Sequence, residues 1–138
     1  MKEGYGKKTV LVFGVFDILH LGHLSFFERA LRQGSELVVV VARDARVAAE
    51  KGRAPVFSES ERLKMVKALR IVDRAILGDP PGKCGMLKKL KPDIVVLGHD
   101  QKVPPGALGQ CKFVKASAKL RARWSSTAIR KALSGKAT

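Results

Sequence analysis

Thr9-Val10-Leu11-Val12-Phe13-Gly14-Val15-Phe16-Asp17-Ile18-Leu19-His20-Leu21-Gly22-His23 is the stretch on which the reading of this chain turns. Its first part is a β-branched, apolar run, which predicts a buried strand over 9–14. Past the glycine, a helix pattern runs over 23–33, with Leu24, Phe27 and Leu31 on one face and Gly34 placed as a C-terminal cap. A strand, a glycine turn and a helix start bring backbone N–H groups and the positive end of the helix dipole to one point, where anions bind. Two imidazoles, His20 and His23, stand three residues apart at that junction. The stretch is therefore a candidate polyphosphate site.

Working outward, Leu37-Val38-Val39-Val40-Val41-Ala42 is apolar without alternation, the pattern of a parallel strand covered on both faces. Arg43 to Pro55 read as a polar connection containing Lys51 and Arg53. Ser58 and Glu61 have capping-box spacing and open a helix with Leu63, Val66 and Leu69 on its apolar stripe. A short strand follows at 75–78, a turn at Asp79-Pro80-Pro81-Gly82, a short helix at 86–90 stopped by Pro92, and an apolar strand at 93–98. Pro104-Pro105-Gly106 predicts a loop and Lys112-Phe113-Val114-Lys115 a fifth strand. Ser125-Ser126-Thr127 caps a last helix bearing Ile129 and Leu133. Strands alternating with helices at this spacing predict one α/β domain: a Rossmann-like, doubly wound parallel sheet of about five strands with helices on both faces. The domain is expected over 9–134, behind a flexible leader at 1–8. Ligands of such sheets bind beyond the carboxyl ends of the strands, which places the clusters after Gly14 and Gly98 at one pocket.

The 138 residues suit a single domain with a true hydrophobic core, 46% hydrophobic and 28% charged. No apolar run reaches the ~20 residues of a membrane span, and the charged N-terminus does not read as a signal peptide. Cys84 and Cys111 lack metal-type spacing, which points to free thiols in a reducing cytoplasm. A formal net charge of +15 fits three situations: nucleic-acid binding, a pocket that gathers phosphorylated small molecules, or a surface kept soluble. Aromatic residues are only 6% and are not interleaved with the basic ones, which weighs against a nucleic-acid-binding module. His20 and His23 could in principle pair on a metal. The chain adds only His99 as a further histidine and has no thiolate cluster, so no metal site is expected. They could also be ordinary helix-start residues. Both donating to phosphate oxygens is the reading that uses the helix end best.

Gly14-Val15-Phe16-Asp17 with His20-Leu21-Gly22-His23 resembles the signature of the cytidylyltransferase-like nucleotidyltransferases. Ser125-Ser126-Thr127-Ala128-Ile129-Arg130 resembles the second nucleotide-binding motif of that superfamily, about 100 residues downstream. Within it the chain is most similar to the archaeal-type FAD synthases, through Val41-Ala42-Arg43-Asp44, Lys51-Gly52-Arg53-Ala54-Pro55, Met65-Val66-Lys67-Ala68-Leu69, Val72-Asp73-Arg74-Ala75-Ile76-Leu77-Gly78 and the run from Pro92 to Gln101. The cysteine pair those synthases carry towards the C-terminus is represented here only by the separate Cys84 and Cys111.

The resemblance implies transfer of AMP from ATP to FMN, with glycerol-3-phosphate cytidylyltransferase (using CTP) and pantetheine-phosphate adenylyltransferase as alternatives. It also implies a Mg²⁺-bound triphosphate and a homodimer. Carried over by position, His20 and His23 contact the triphosphate, Val15 and Phe16 lend backbone contacts, and Lys51 with Arg53, on the loop after the second strand, engages the acceptor phosphate, Lys51 as a catalytic cation, or the two are solvated loop charges. Asp100 holds ribose or base, or is a turn residue. Ser125, Ser126 and Thr127 cap a helix and bind phosphate with the same N–H groups. Arg121 or Arg123 approaches the triphosphate. Trp124 stacks on a ring or shields the core. Asp17 orients the turn, or a metal-bound water, rather than acting as a base.

Overall fold

The apolar runs form the strands of one sheet, and their order explains where the chain leaves room for a ligand. The structure is a computed structural model and describes residues 7–83, 85–98, 101–103, 111–115 and 133. Five strands, β1 (Thr9–Gly14), β2 (Glu36–Val41), β3 (Arg74–Leu77), β4 (Ile94–Leu97) and β5 (Lys112–Lys115), lie in the order β3-β2-β1-β4-β5, and every pairing is parallel. The chain winds outward from β1 to β3, then returns to the other side of β1 for β4 and β5. The strand order thus reverses between β1 and β4, the point at which such sheets open a crevice.

Strand residues alternate between two apolar clusters. Val10 and Val12, Leu37, Val39 and Val41, Ala75, and Ile94 and Val96 face one side, where Phe27 and Ala30 of α1 (Leu21–Leu31) and Val66 of α3 (Glu59–Lys67) cover them. Leu11, Val38, Val40, Val95 and Leu97 face the other, covered by Met86, Leu87 and Leu90 of α4 (Met86–Leu90). A sheet buried on both faces needs apolar residues at consecutive positions, which accounts for the unbroken valine runs. The expected sheet with helices on both faces is present.

The N-terminal ends of the central strands are sealed by aspartates. Asp93 accepts the Thr9 N–H at 2.8 Å, and Asp73 accepts the Leu37 N–H at 2.7 Å. The opposite, carboxyl ends carry the histidine turn.

Four expectations change in detail. Helix α1 begins at Leu21, two residues before the expected 23, because His20 serves as its N-cap. Gly34 is not a left-handed cap: the helix closes on Arg32, and a Cβ at Gly34 would sit 2.6 Å from the Lys8 carbonyl oxygen. Its lack of a side chain lets the chain pass against Lys8, whose carbonyl receives the N–H groups of Ser35 and Glu36. The polar connection after β2 contains a helix, α2 (Asp44–Lys51), closed by left-handed Gly52 at φ 72°. Lys51 is therefore in the last turn of a helix rather than on a loop. The expected stripe of α3 holds, although Leu69 lies two residues past its end. Residues 1–6 of the expected leader, the loop at 104–106 and the last helix from Ser125 lie outside the described residues, Leu133 aside. Among the described residues no helix is long and apolar enough to cross a membrane.

Candidate nucleotide site

At Gly14 the chain leaves β1 and doubles back. Phe16 takes the left-handed region at φ 53°, an uncommon conformation for a bulky residue. Its ring folds over Gly14, where a Cβ would meet the ring at 2.9 Å, and packs edge-on against Phe27 and His23. Gly14 is thus required by the Phe16 ring. The turn positions the two histidines through the packed ring.

His20 and His23 then close the first turn of α1 as a reciprocal cap. The Gly22 N–H donates to His20 Nδ1 at 3.0 Å, and the His20 N–H donates to His23 Nδ1 at 3.3 Å. The rings stack with centroids 4.0 Å apart. Because each Nδ1 is used as an acceptor, each neutral ring carries its proton on Nε2. Burial lowers the pKa of His20; burial and then the neighbouring His20 lower that of His23 to about 4. At neutral pH both rings are uncharged donors through Nε2–H, at the helix end whose dipole favours an anion.

Asp17 is buried in the same turn. Its carboxylate accepts the Val56 N–H at 2.7 Å and the Phe57 N–H at 2.9 Å, which binds the segment before α3 to the histidine turn. Of the two expected roles, orienting the turn is the one that these bonds suit. Lys51 and Arg53 are exposed at the end of α2 and on the segment that Asp17 holds three residues later. Asp100, Arg121, Arg123, Trp124, Ser125, Ser126 and Thr127 lie outside the described residues.

Gln101 ties the carboxyl end of β1 to that of β4. Its Nε2 donates to the Phe13 carbonyl at 2.6 Å, and its Oε1 accepts the Gly98 N–H at 2.7 Å. Beside it, a groove of about 390 Å³ is lined by Leu97, Gln101, Lys102, Val103, Phe113 and Lys115. Leu97, Val103 and Phe113 are its apolar lining residues, and Lys102 and Lys115 its cationic ones.

The residue least visible in the sequence is Arg62. Its side chain is fully buried, and it donates from Nε to Phe57 O at 3.0 Å, from Nη1 to Val15 O at 2.8 Å and from Nη2 to Asp44 Oδ1 at 2.6 Å. The one available signal was its spacing: Arg62, Val66 and Leu69 lie at helical intervals, so a cation occupies the apolar stripe. Among the described residues no group of three His, Cys, Asp or Glu side chains is arranged to hold a metal ion. Cys111 is a free, half-buried thiol whose pKa burial raises.

The FAD synthase of Methanopyrus kandleri is 54% identical over 99 residues, 70% of this chain and 65% of that protein. The FAD synthase of Methanohalophilus mahii is 51% identical over 92 residues, 67% of this chain and 63% of that protein. The match thus spans just under two thirds of the length of these relatives. A crystal structure described as the lipopolysaccharide core biosynthesis protein of Thermoplasma volcanium superposes with a TM-score of 0.73 at 42% identity, covering 81% of this chain and 98% of that one. A family model described as cytidylyltransferase-like matches residues 11–132. With its histidine turn at the point where the strand order reverses, the chain belongs to the cytidylyltransferase-like family.

Proposed function

We propose that this protein transfers AMP from ATP to the phosphate of FMN, giving FAD and pyrophosphate. The observation that carries nucleotidyl transfer is the pair of neutral Nε2–H donors at the N-terminus of α1, beside the β1–β4 crevice. The acceptor rests on the resemblance to FAD synthases, because the structural neighbour bears another description and the fold alone does not choose.

An FMN phosphate oxygen forms the new bond to the α-phosphorus as the α–β bridging bond breaks, and the electron pair leaves with pyrophosphate. A phosphate monoester is already an anionic nucleophile, so no side-chain nucleophile is needed. The chain's task is to hold two polyanions in line and to stabilise charge on the oxygens that gain it. His20 and His23 donate to triphosphate oxygens. Lys51 and Arg53 hold the acceptor phosphate. Phe16 and Val15 set the backbone beneath them, and the groove at Leu97 and Phe113 receives a ring. Asp100, Ser125, Ser126, Thr127, Trp124 and Arg121 complete the nucleotide side in this reading.

A divalent cation, Mg²⁺, arrives with the nucleotide and neutralises its charge, held chiefly by substrate phosphates and water. Asp17, whose carboxylate oxygens accept the Val56 and Phe57 N–H groups, orients the turn beside that nucleotide. The protein acts in the cytoplasm, as a homodimer.

Incubation with Mg²⁺ and each pair of ATP or CTP with FMN, glycerol 3-phosphate or phosphopantetheine, following pyrophosphate, tests the assignment. FAD formation is expected, reduced about 10²- to 10³-fold in His20→Ala, as for loss of one charge-stabilising donor. Cytidylylation of glycerol 3-phosphate without FAD formation would refute the acceptor.

A further inference from the structure

Arg62 joins three segments that belong to different parts of the candidate site. Val15 lies in the histidine turn, Phe57 in the segment following Arg53, and Asp44 at the start of α2, the helix that ends at Lys51. Its three partners take three different nitrogens of one planar group, so their relative positions are fixed by the shape of the guanidinium itself. The link at Asp44 is stiffened further. Asp44 Oδ2 accepts the Glu59 N–H at 3.1 Å, while Glu59 Oε1 accepts the Asp44 N–H at 2.8 Å, so the first turns of α2 and α3 cap one another. From Asp44, seven residues at ~1.5 Å rise each carry this fixed point about 10 Å along α2 to Lys51.

From this geometry we propose that Arg62 is a positioning residue: it sets the distance and angle between the imidazole donors and the cations Lys51 and Arg53. The role rests on the nucleotidyl-transfer reading above. Two anion holders in different segments achieve in-line attack only if their separation is fixed before substrates arrive. The histidine cap is local to residues 20–23 and fixes one holder. Asp17 pins residues 56 and 57 to the histidine turn. Arg62 binds that turn, that segment and α2 together.

The test uses Arg62→Lys, which keeps the charge but replaces the planar fork by a single ammonium. Hydrogen exchange should rise in residues 44–58 and stay unchanged in the strand cores of β1 and β2. FAD synthesis should lose about 100-fold in kcat with KM for ATP within about threefold, the pattern of misaligned rather than unbound reactants. Uniformly faster exchange through β1 and β2 would overturn the proposal, since Arg62 would then only hold up the core. A kcat within about threefold of wild type, with residues 44–58 loosened, would overturn it equally.

Asp44→Asn keeps Arg62 and its two carbonyl partners while removing the ion pair, and it decides the matter if the lysine variant does not fold. It should loosen α2 and lower kcat about tenfold by smaller misplacement. Unchanged exchange and unchanged kcat would refute the role. A wild-type protein that makes no FAD would sink the acceptor assignment, while the exchange pattern would still decide what Arg62 holds.

Discussion

Replacing His23 with Phe should change how stability depends on pH, and the size of the change follows from the site. The unfolded imidazole takes its proton near pH 6.5, whereas folded His23, desolvated and beside His20, takes it near about 4. Between these values the unfolded chain holds more protons than the native one, so native stability falls as the pH falls through that window. The difference of about 2.5 pH units corresponds to about 3 kcal/mol lost between pH 7 and pH 4 through this residue alone. Phe keeps the edge contact with Phe16 but cannot accept the His20 N–H, a capping loss of about 1 kcal/mol that does not depend on pH. The wild type should therefore be more stable by about 1 kcal/mol at pH 8 and less stable by about 2 kcal/mol at pH 4, the curves crossing between roughly pH 5 and 6. Urea unfolding followed by far-ultraviolet circular dichroism across pH 4–8 measures both curves, and their difference removes the titration common to the two proteins. Parallel curves would refute the account, because His23 would then titrate alike in the folded and unfolded chains.

Three further substitutions probe the turns that hold the fold and the site. Asp17→Asn leaves one amide acceptor and turns an NH₂ towards a backbone N–H, so thermal unfolding should show a loss of about 2–3 kcal/mol, and exchange at Val56 and Phe57 should rise. Gly34→Ala places a methyl group 2.6 Å from the Lys8 carbonyl and from a Val10 methyl, which should cost about 1–3 kcal/mol in chemical denaturation; no loss would show that Lys8 moves aside freely. Ser58→Ala removes half of the capping box of α3 and should cost about 1 kcal/mol without altering KM for ATP, read from melting and steady-state kinetics.

Strand positions and the phosphate-type turn were legible because each rests on residues close in sequence. Valine runs declare a strand buried on two faces, and Ser58 with Glu61 declares a helix start that the structure reproduces bond for bond. Helix α2 was hidden because only Val47 on it is buried, so no apolar period appears and its signals are the acidic start at Asp44 and the stop at Gly52. The start of α1 was misplaced by two residues because histidine is not among the usual N-caps, and the cap depends on two rings acting on each other's turn. Arg62 was missed for a different reason. Its partners lie 5, 18 and 47 residues away, and a single arginine on a basic helix reads as a solvated charge until those segments are brought together.

The alternation of strand residues between two separate cores also limits how this sequence can vary in length. Each strand of the central pair is read by both clusters, Val10 and Val12 by one and Leu11 by the other. Adding or removing one residue within β1 would exchange between the clusters every side chain on one side of the change, or else turn Gly14 and the histidine turn to the other face of the pleat. The cores thus measure chain length in steps of two and deliver that count to the site as the orientation of two imidazoles. Length changes are expected to be confined to the connections, and a library of single-residue insertions scored for folding should show tolerance there and none between Val10 and Gly14.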